Sequence, residues 1–250
     1  MNLTTICSEI DDFLQIGNVT DYPNALNGLQ LENRGTVTKL GAAVDSSRAT
    51  IEMAIEQGVD LLLVHHGIFW GGLTRILGPH YQKLQRAISS DLAIYSAHLP
   101  LDIHPEIGNN ALLARALDLP NPEPFFFKMG RHLGLASNIV LERDALVSRL
   151  ENVLGAEIWI CGAGPQTTRR IGLVTGGAGS EVETAVYEGV DTFITGEGPH
   201  HTFALAEELG INLIYAGHYA TETFGIRALA EKLGREHDLP WCFLDHPSGL

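Results

Sequence analysis

Two stretches of this chain repeat one another, and that limits its fold more than any other feature. Residues 40–67 read LGAAVDSSRATIEMAIEQGVDLLLVHHG and residues 171–198 read IGLVTGGAGSEVETAVYEGVDTFITGEG; they align without a gap, with GVD at the same place in both. Each opens on a short apolar run, passes through helical spacing to a glycine, and closes on a second apolar run, which is the signature of a β-α-β unit. Downstream, LAIYSAHLPLD, ending at Asp102, lies against NLIYAGHYATE, ending at Glu222. In both, a strand ends in a histidine and a carboxylate follows four residues later. Generic β-α-β units share glycine and apolar positions, but this His-x-x-x-carboxylate match lies outside that generic pattern. The repeat predicts an α/β protein of two related lobes of common origin, residues 1–125 and 126–250. Between them the Pro- and Phe-rich stretch NPEPFFFKMG reads as a linker. Alternation of strand and helix predicts largely parallel or mixed sheets with helices packed on them.

Outside the repeat, residues 4–16 carry helical apolar spacing (Ile6, Ile10, Phe13, Leu14), followed by the turn-rich DYPNALNGLQ. YQKLQRAIS reads as a helix, LAIYSAH as a strand, and a final helix opens at His218.

Composition narrows the partners. The formal net charge of −14 works against wrapping a phosphate backbone, so general nucleic-acid binding is not expected, although a local cationic centre still suits an anionic small molecule. No apolar run reaches the ~20 residues a membrane helix needs. The N-terminus MNLTTICSEIDDFL lacks the basic start of a signal peptide. Cys7, Cys161 and Cys242 are scattered, with no CxxC, which speaks against a thiolate zinc site or redox pair and for a reducing compartment. A cytoplasmic protein is expected.

The chemistry gathers at predicted strand ends, where His65, His66, His98 and His218 fall. Imidazole and carboxylate without sulfur form a donor set for a divalent metal, with zinc, iron, manganese and nickel all compatible. Successive residues of a strand point to opposite sides, so His65 and His66 serve one ion only if the strand end twists, and a pair of ions accommodates both. His218 and Glu222 stand one helical turn apart on one face. Asp102 follows Pro100, which disfavours helix at Leu99, so Asp102 is expected on a loop. A lone histidine at a strand end is more often a hydrogen-bonded core residue; the adjacent pair together with His218 and Glu222 shifts the reading to metal. His98 suits a ligand or a partner beside the ligands equally well. His200 and His201 are rim residues or proton shuttles, and Glu197, at the repeat position of His66, is a near-site residue or a helix cap. VTGGAGSE, residues 174–181, is a strand running into a Gly-rich turn and then a helix. It could cradle an anion, but it lacks both the P-loop ending and GxGxxG, and its glycines equally suit close strand–helix packing. No GxSxG occurs and no Cys neighbours a His in sequence.

VHHGIFW, YSAHLPLDIHPEIGNN, GVDTFITGE and IYAGHYATE, with NGLQ at 27–30, together resemble the NIF-three-like family, and within it the short bacterial YbgI-like branch of GTP cyclohydrolase I type 2 homologues. The resemblance covers almost the whole chain; longer relatives carry an inserted domain where this chain has only its short linker. It implies a dinuclear metal site between two α/β lobes. His65 and Asp102 would hold one ion, His66 and His218 the other, Glu222 would bridge, and His98 would sit beside them. It further implies ring-shaped homohexamers built as trimers of dimers.

Two functions follow. The first is a metal-dependent hydrolase acting on a nucleotide-like small molecule, with two divalent ions per chain and with His98 or His201 supplying a proton. The second is a non-catalytic, metal-loaded ring that binds a partner in metal handling or DNA maintenance.

Overall fold

The protein is described here by a computed structural model covering residues 1–249. In chain order its first elements are α1 (Leu3–Leu14), β1 (Gly28–Leu31), β2 (Leu40–Asp45), α2 (Arg48–Glu56), β3 (Leu61–His66), α3 (Gly78–Ser89), β4 (Ala93–Ser96), the one-turn α4 (Leu99–Asp102) and α5 (Asn109–Ala116). There follow β5 (Glu123–Lys128), β6 (Arg131–Glu142), α6 (Arg143–Leu154), β7 (Trp159–Gly162), β8 (Thr167–Leu173), α7 (Val182–Tyr187), β9 (Thr192–Thr195), α8 (Thr202–Leu209), β10 (Asn212–Tyr215), α9 (His218–His237) and β11 (Trp241–Phe243). The class is mixed α/β with two sheets, as expected.

The chain divides into two compact units, Met1–Leu101 with Gly225–His246, and Asp102–Phe224 with the stretch that begins at Pro247. The division falls inside α4 and α9. The linker near residue 125 lies within the second unit, and the last strand belongs to the first.

In the first unit the sheet runs β1-β4-β3-β2-β11. β2, β3, β4 and β11 are parallel, and β1 lies antiparallel on β4. β3, LLLVHH, sits centrally and is buried along its whole length, which is why it reads as an unbroken apolar run rather than an alternation. Ile51 and Ala54 of α2, Leu62 and Val64 of β3, and Ile94 of β4 form the core on one face. α1 starts where Asn2 accepts a hydrogen bond from Thr5 N at 3.2 Å, and α2 where Ser47 does the same for Thr50 N at 3.1 Å. On the sheet, the Tyr95 phenol donates to Asp11 at 2.5 Å, and burial together with Asp11 pushes its pKa well above the usual phenol range.

In the second unit the order is β5-β6-β8-β9-β10-β7, with β8, β9 and β10 parallel and the other pairs antiparallel. Its core joins Leu146 and Leu150 of α6, Ile171 and Leu173 of β8, Ile194 of β9 and Ile214 of β10. Each unit carries a parallel β-α-β at the repeated segment: β2-α2-β3 pairs Leu40 with Leu61, and β8-α7-β9 pairs Ile171 with Thr192.

Two local expectations are corrected. The segment read as a linker is strand β5, which hairpins onto β6 through Met129 and Gly130, both at positive φ (54° and 82°). Its proline, Pro124, is tolerated because β5 is an edge strand, where a missing N–H leaves no inner ladder bond unmade. Asp102 lies on the short helix α4 rather than on a loop. The N–H groups of His98 and Leu99 at its start are taken by Asn27 Oδ1 (2.7 Å) and Asp21 Oδ2 (2.9 Å), so the turn forms despite Pro100.

Candidate metal centre

In the first unit, parallel pairing brings the C-terminal ends of β2, β3 and β4 side by side. There His65, His66 and His98 each offer one ligand atom, all within 4.8 Å of one another, and all three residues are buried. The strand-end pair is not split to opposite sides: the His65 and His66 rings are 4.9 Å apart between centroids, because each leans toward a different neighbour. His65 Nδ1 donates to the Ala97 carbonyl just beyond β4 at 2.8 Å. His66 Nδ1 donates to the carboxylate of Asp45, its register partner at the end of β2, at 2.9 Å. His98 Nδ1 donates to both oxygens of Asp21, at 2.9 and 3.1 Å. Burial alone raises the Asp21 pKa, but its bonds to His98, Asn27 and Tyr22 N outweigh this and hold the carboxyl below its ordinary range.

Trp70 lies against the cluster, its ring 4.4 Å from that of His98 and 4.9 Å from that of His66. The loop that carries it is fixed by Gln30 of NGLQ, whose Oε1 accepts from Ile68 N at 2.7 Å. A Cβ on Gly67 would lie 2.2 Å from Gln30 Nε2, which is why glycine follows the two histidines.

In the second unit, His218 and Glu222 occupy the first turn of α9, and His218 Nε2 lies 3.1 Å from Glu222 Oε2. His218 Nδ1 donates to Glu197 Oε1 at 2.8 Å. Burial lowers the His218 pKa, but its hydrogen bond and charge interaction with Glu222, and then with Glu197, override that and carry it up to about 9. Gly176, at φ +73°, lies against this pair: a Cβ there would fall 2.2 Å from Glu222 Oε1. Its N–H donates to Thr221 Oγ1 at 3.1 Å. The Gly-rich turn therefore lets backbone close on the His218–Glu222 pair, which is the close-packing reading of VTGGAGSE. Asp102, also in this unit, is buried and accepts from Asn109 Nδ2 at 2.8 Å and Thr175 Oγ1 at 3.4 Å on the same Oδ1. Asn110 Nδ2 donates to its backbone carbonyl at 3.1 Å. The asparagines of the IGNN stretch thus fix Asp102.

Carbonyl and carboxylate oxygens only accept, so at all four histidines Nδ1 carries the hydrogen and Nε2 is the atom presented to a ligand. The donor set is imidazole and carboxylate. The thiols stand outside it: burial, then Asp11, pushes Cys7 up to about 12, and burial raises Cys161 and Cys242 as well. Buried histidines with oriented Nε2 atoms, and a carboxylate cradled by a glycine, fit a divalent cation; these are groups that could hold a metal ion. His201 is exposed at the start of α8. Sequence reasoning missed Asp21 and Asp45. Asp45 was within reach, since it ends the strand that runs parallel beside His66; Asp21 was not, because it arrives from a loop.

The comparisons with known proteins agree with this architecture. A curated relative named GTP cyclohydrolase 1 type 2 homolog, from Deinococcus radiodurans, is 42% identical over 244 residues, covering 96% of this chain and 92% of its own. The crystal structure of TTHA1606 from Thermus thermophilus superposes with a TM-score of 0.91 at 39% identity over 100% of both chains. A structure described as protein ybgI, of unknown function, does so with a TM-score of 0.93 at 37% identity, again over 100% of both. With the family profile for Duf34/NIF3 (NGG1p interacting factor 3) matching residues 1–248, the chain belongs to that family.

Proposed function

We propose that this chain is a metal-dependent hydrolase acting on a nucleotide-like substrate, with two divalent cations per chain held by His65, His66, Asp102, His218 and Glu222. The observation that carries this reading is the uniform engagement of four imidazoles at Nδ1 by protein oxygens, three of them carboxylates, the pattern that orients and strengthens metal-binding histidines. In this reading His65 and Asp102 hold one ion, His66 and His218 the other, and Glu222 bridges, so that ligands come from both repeat halves, 1–125 and 126–250. Bound there, divalent cations would supply Lewis acidity and lower the pKa of water. The chain's own residues do the rest. Asp45 and Glu197 lock the ring orientation of His66 and His218. Asp21 fixes the His98 tautomer so that Nε2 is the atom exchanging a proton with substrate, and His201 is the exposed alternative for that role. The names of the curated relatives, GTP cyclohydrolase 1 type 2 homologs, support nucleotides as the first substrates to try. The gapless repeat supports two halves of common origin. Assembly into a ring-shaped hexamer and a cytoplasmic location complete the reading; no helix among the described residues is long and apolar enough to cross a membrane.

The test is turnover of GTP and other nucleotides by chain reconstituted with zinc, manganese, iron or nickel, with elemental analysis alongside and Glu222→Ala as control. Hydrolysis that needs about two ions per chain and is lost in the variant is expected. Tight metal without turnover would favour a binding ring, and failure to retain any metal would remove the reading altogether.

A further inference from the structure

The second unit contains a pocket of about 500 Å³ that the metal ligands do not use. One wall is a cross-strand pair: Trp159 of β7 stands opposite Tyr215 of β10, the two rings stacked with centroids 4.9 Å apart at 18°. Phe203 of α8 meets Trp159 at 6.0 Å and 61°, so the two exposed rings form a corner rather than a flat patch. The corner is built. The Tyr215 hydroxyl is hydrogen-bonded to Thr202 Oγ1, which also reaches the Pro199 carbonyl at 2.6 Å. A Cβ on Gly198 would fall 2.2 Å from the Tyr215 hydroxyl, and one on Gly179 2.6 Å from it, so both positions must stay bare for the ring to seat. Trp159 and Phe203 nevertheless each remain 42% exposed.

The lining says what such a corner takes. It contains no carboxylate, ammonium or guanidinium, so ion pairing does not select the ligand. A flat ring could lie face-on to Trp159 with its edge toward Phe203, the geometry aromatic pairs favour, with His200 of the lining available to a heteroatom on the ring's edge. Gly198 is the immediate neighbour of Glu197, whose carboxylate holds His218 at 2.8 Å. The pocket and the His218 end of the candidate metal centre thus share one tight segment.

We propose that this corner is the base subsite, binding the planar heteroaromatic ring of the substrate by stacking on Trp159, with the rest of the molecule directed toward Glu197 and His218. The proposal rests on the nucleotide-like reading above and adds to it where the ring is held and by which residues.

The test is calorimetric titration of the metal-loaded full chain with guanosine, which carries the ring and no phosphate. Saturable binding is expected, weakened at least about tenfold by Trp159→Ala, as loss of one base–aromatic stack implies, and held within about threefold by Trp159→Phe. Metal content should be unchanged in both variants, and ribose 5-phosphate should not compete. Phe203→Ala, from the surface of a helix, should weaken guanosine in the same direction and covers the case in which Trp159→Ala does not fold. Guanosine that fails to saturate, wild-type affinity in Trp159→Ala and Phe203→Ala, or displacement of guanosine by tetramethylammonium would overturn the proposal. Guanosine binding with no nucleotide turnover would leave the subsite standing and remove the hydrolase reading. Turnover with unchanged KM in Trp159→Ala would do the reverse.

Discussion

Imidazole has two nitrogens, and at His65, His66, His98 and His218 the protein chooses between them by supplying an oxygen to Nδ1. That choice is made one residue at a time, so it can be undone one residue at a time. Asp45→Asn leaves a neutral, weaker acceptor at 2.9 Å from His66; metal affinity should fall by about 10- to 100-fold, measured by competition with a chelator, with circular dichroism unchanged. Glu222→Gln keeps the volume and removes the charge. Near-native circular dichroism and a sharp loss of metal are expected, whereas His201→Ala, at an exposed position, should keep its metal; the bridging assignment fails if Glu222→Gln retains full metal or if His201→Ala loses more. His218 gives the pH dependence. In metal-free protein its pKa is raised from 6.5 to about 9, so the stability it contributes is complete below about 6.5 and is lost as pH rises through about 9. Urea midpoints of chelated protein should fall over that range, and fall less in Glu222→Gln, which lacks the charge that stabilises the imidazolium. A midpoint with the same pH profile in both proteins would exclude this coupling.

At the scale of elements, ligand positions follow from strand pairing and from where turns let backbone approach. Parallel pairing puts the ends of β2, β3 and β4 at one sheet edge, so residues far apart in sequence arrive together. On the other unit, the turn after β8 must pass the first turn of α9, and Gly176 makes that possible. Gly176→Ala would place a methyl 2.2 Å from Glu222 Oε1 at φ +73°, so it should cost about 1 kcal/mol or more from the backbone alone and displace the carboxylate as well. Both a lower thermal midpoint and reduced metal content are expected; a fully loaded variant of native stability would show that the carboxylate does not depend on this cradle.

For the whole molecule, the two units draw on the chain discontinuously. The strand that completes the first sheet, β11, comes from residues 241–243, beyond the 102–224 segment that belongs to the second unit. Truncation within β5, near residue 125, would remove β11 and residues 225–237 of α9 from the first unit, so an isolated 1–125 fragment should not fold as a stable module. Light scattering on the intact chain should exceed the 27.1 kDa of a single copy, in line with the proposed ring; a monomer at micromolar concentration would rule the ring out.

Local order fixed what could be read directly from the chain. The parallel strands around β3 are legible because a strand buried on both faces must be apolar throughout. The repeated β-α-β and the His-x-x-x-carboxylate pairs are legible because their spacing is a property of the chain itself. So is Glu222, one turn from His218 on a helix. What the sequence left open was set by partners distant along the chain. Pro124 and Pro100 read as breaks, yet one lies on an edge strand with no inner ladder bond to lose, and the other in a turn whose N–H groups Asn27 and Asp21 satisfy. Asp21 holds His98 across 77 residues, and Trp159 meets Tyr215 only because β7 pairs with β10. Periodicity records which face of an element is buried; it carries no information about which distant carboxylate or ring will meet that face, and that was decided by tertiary packing.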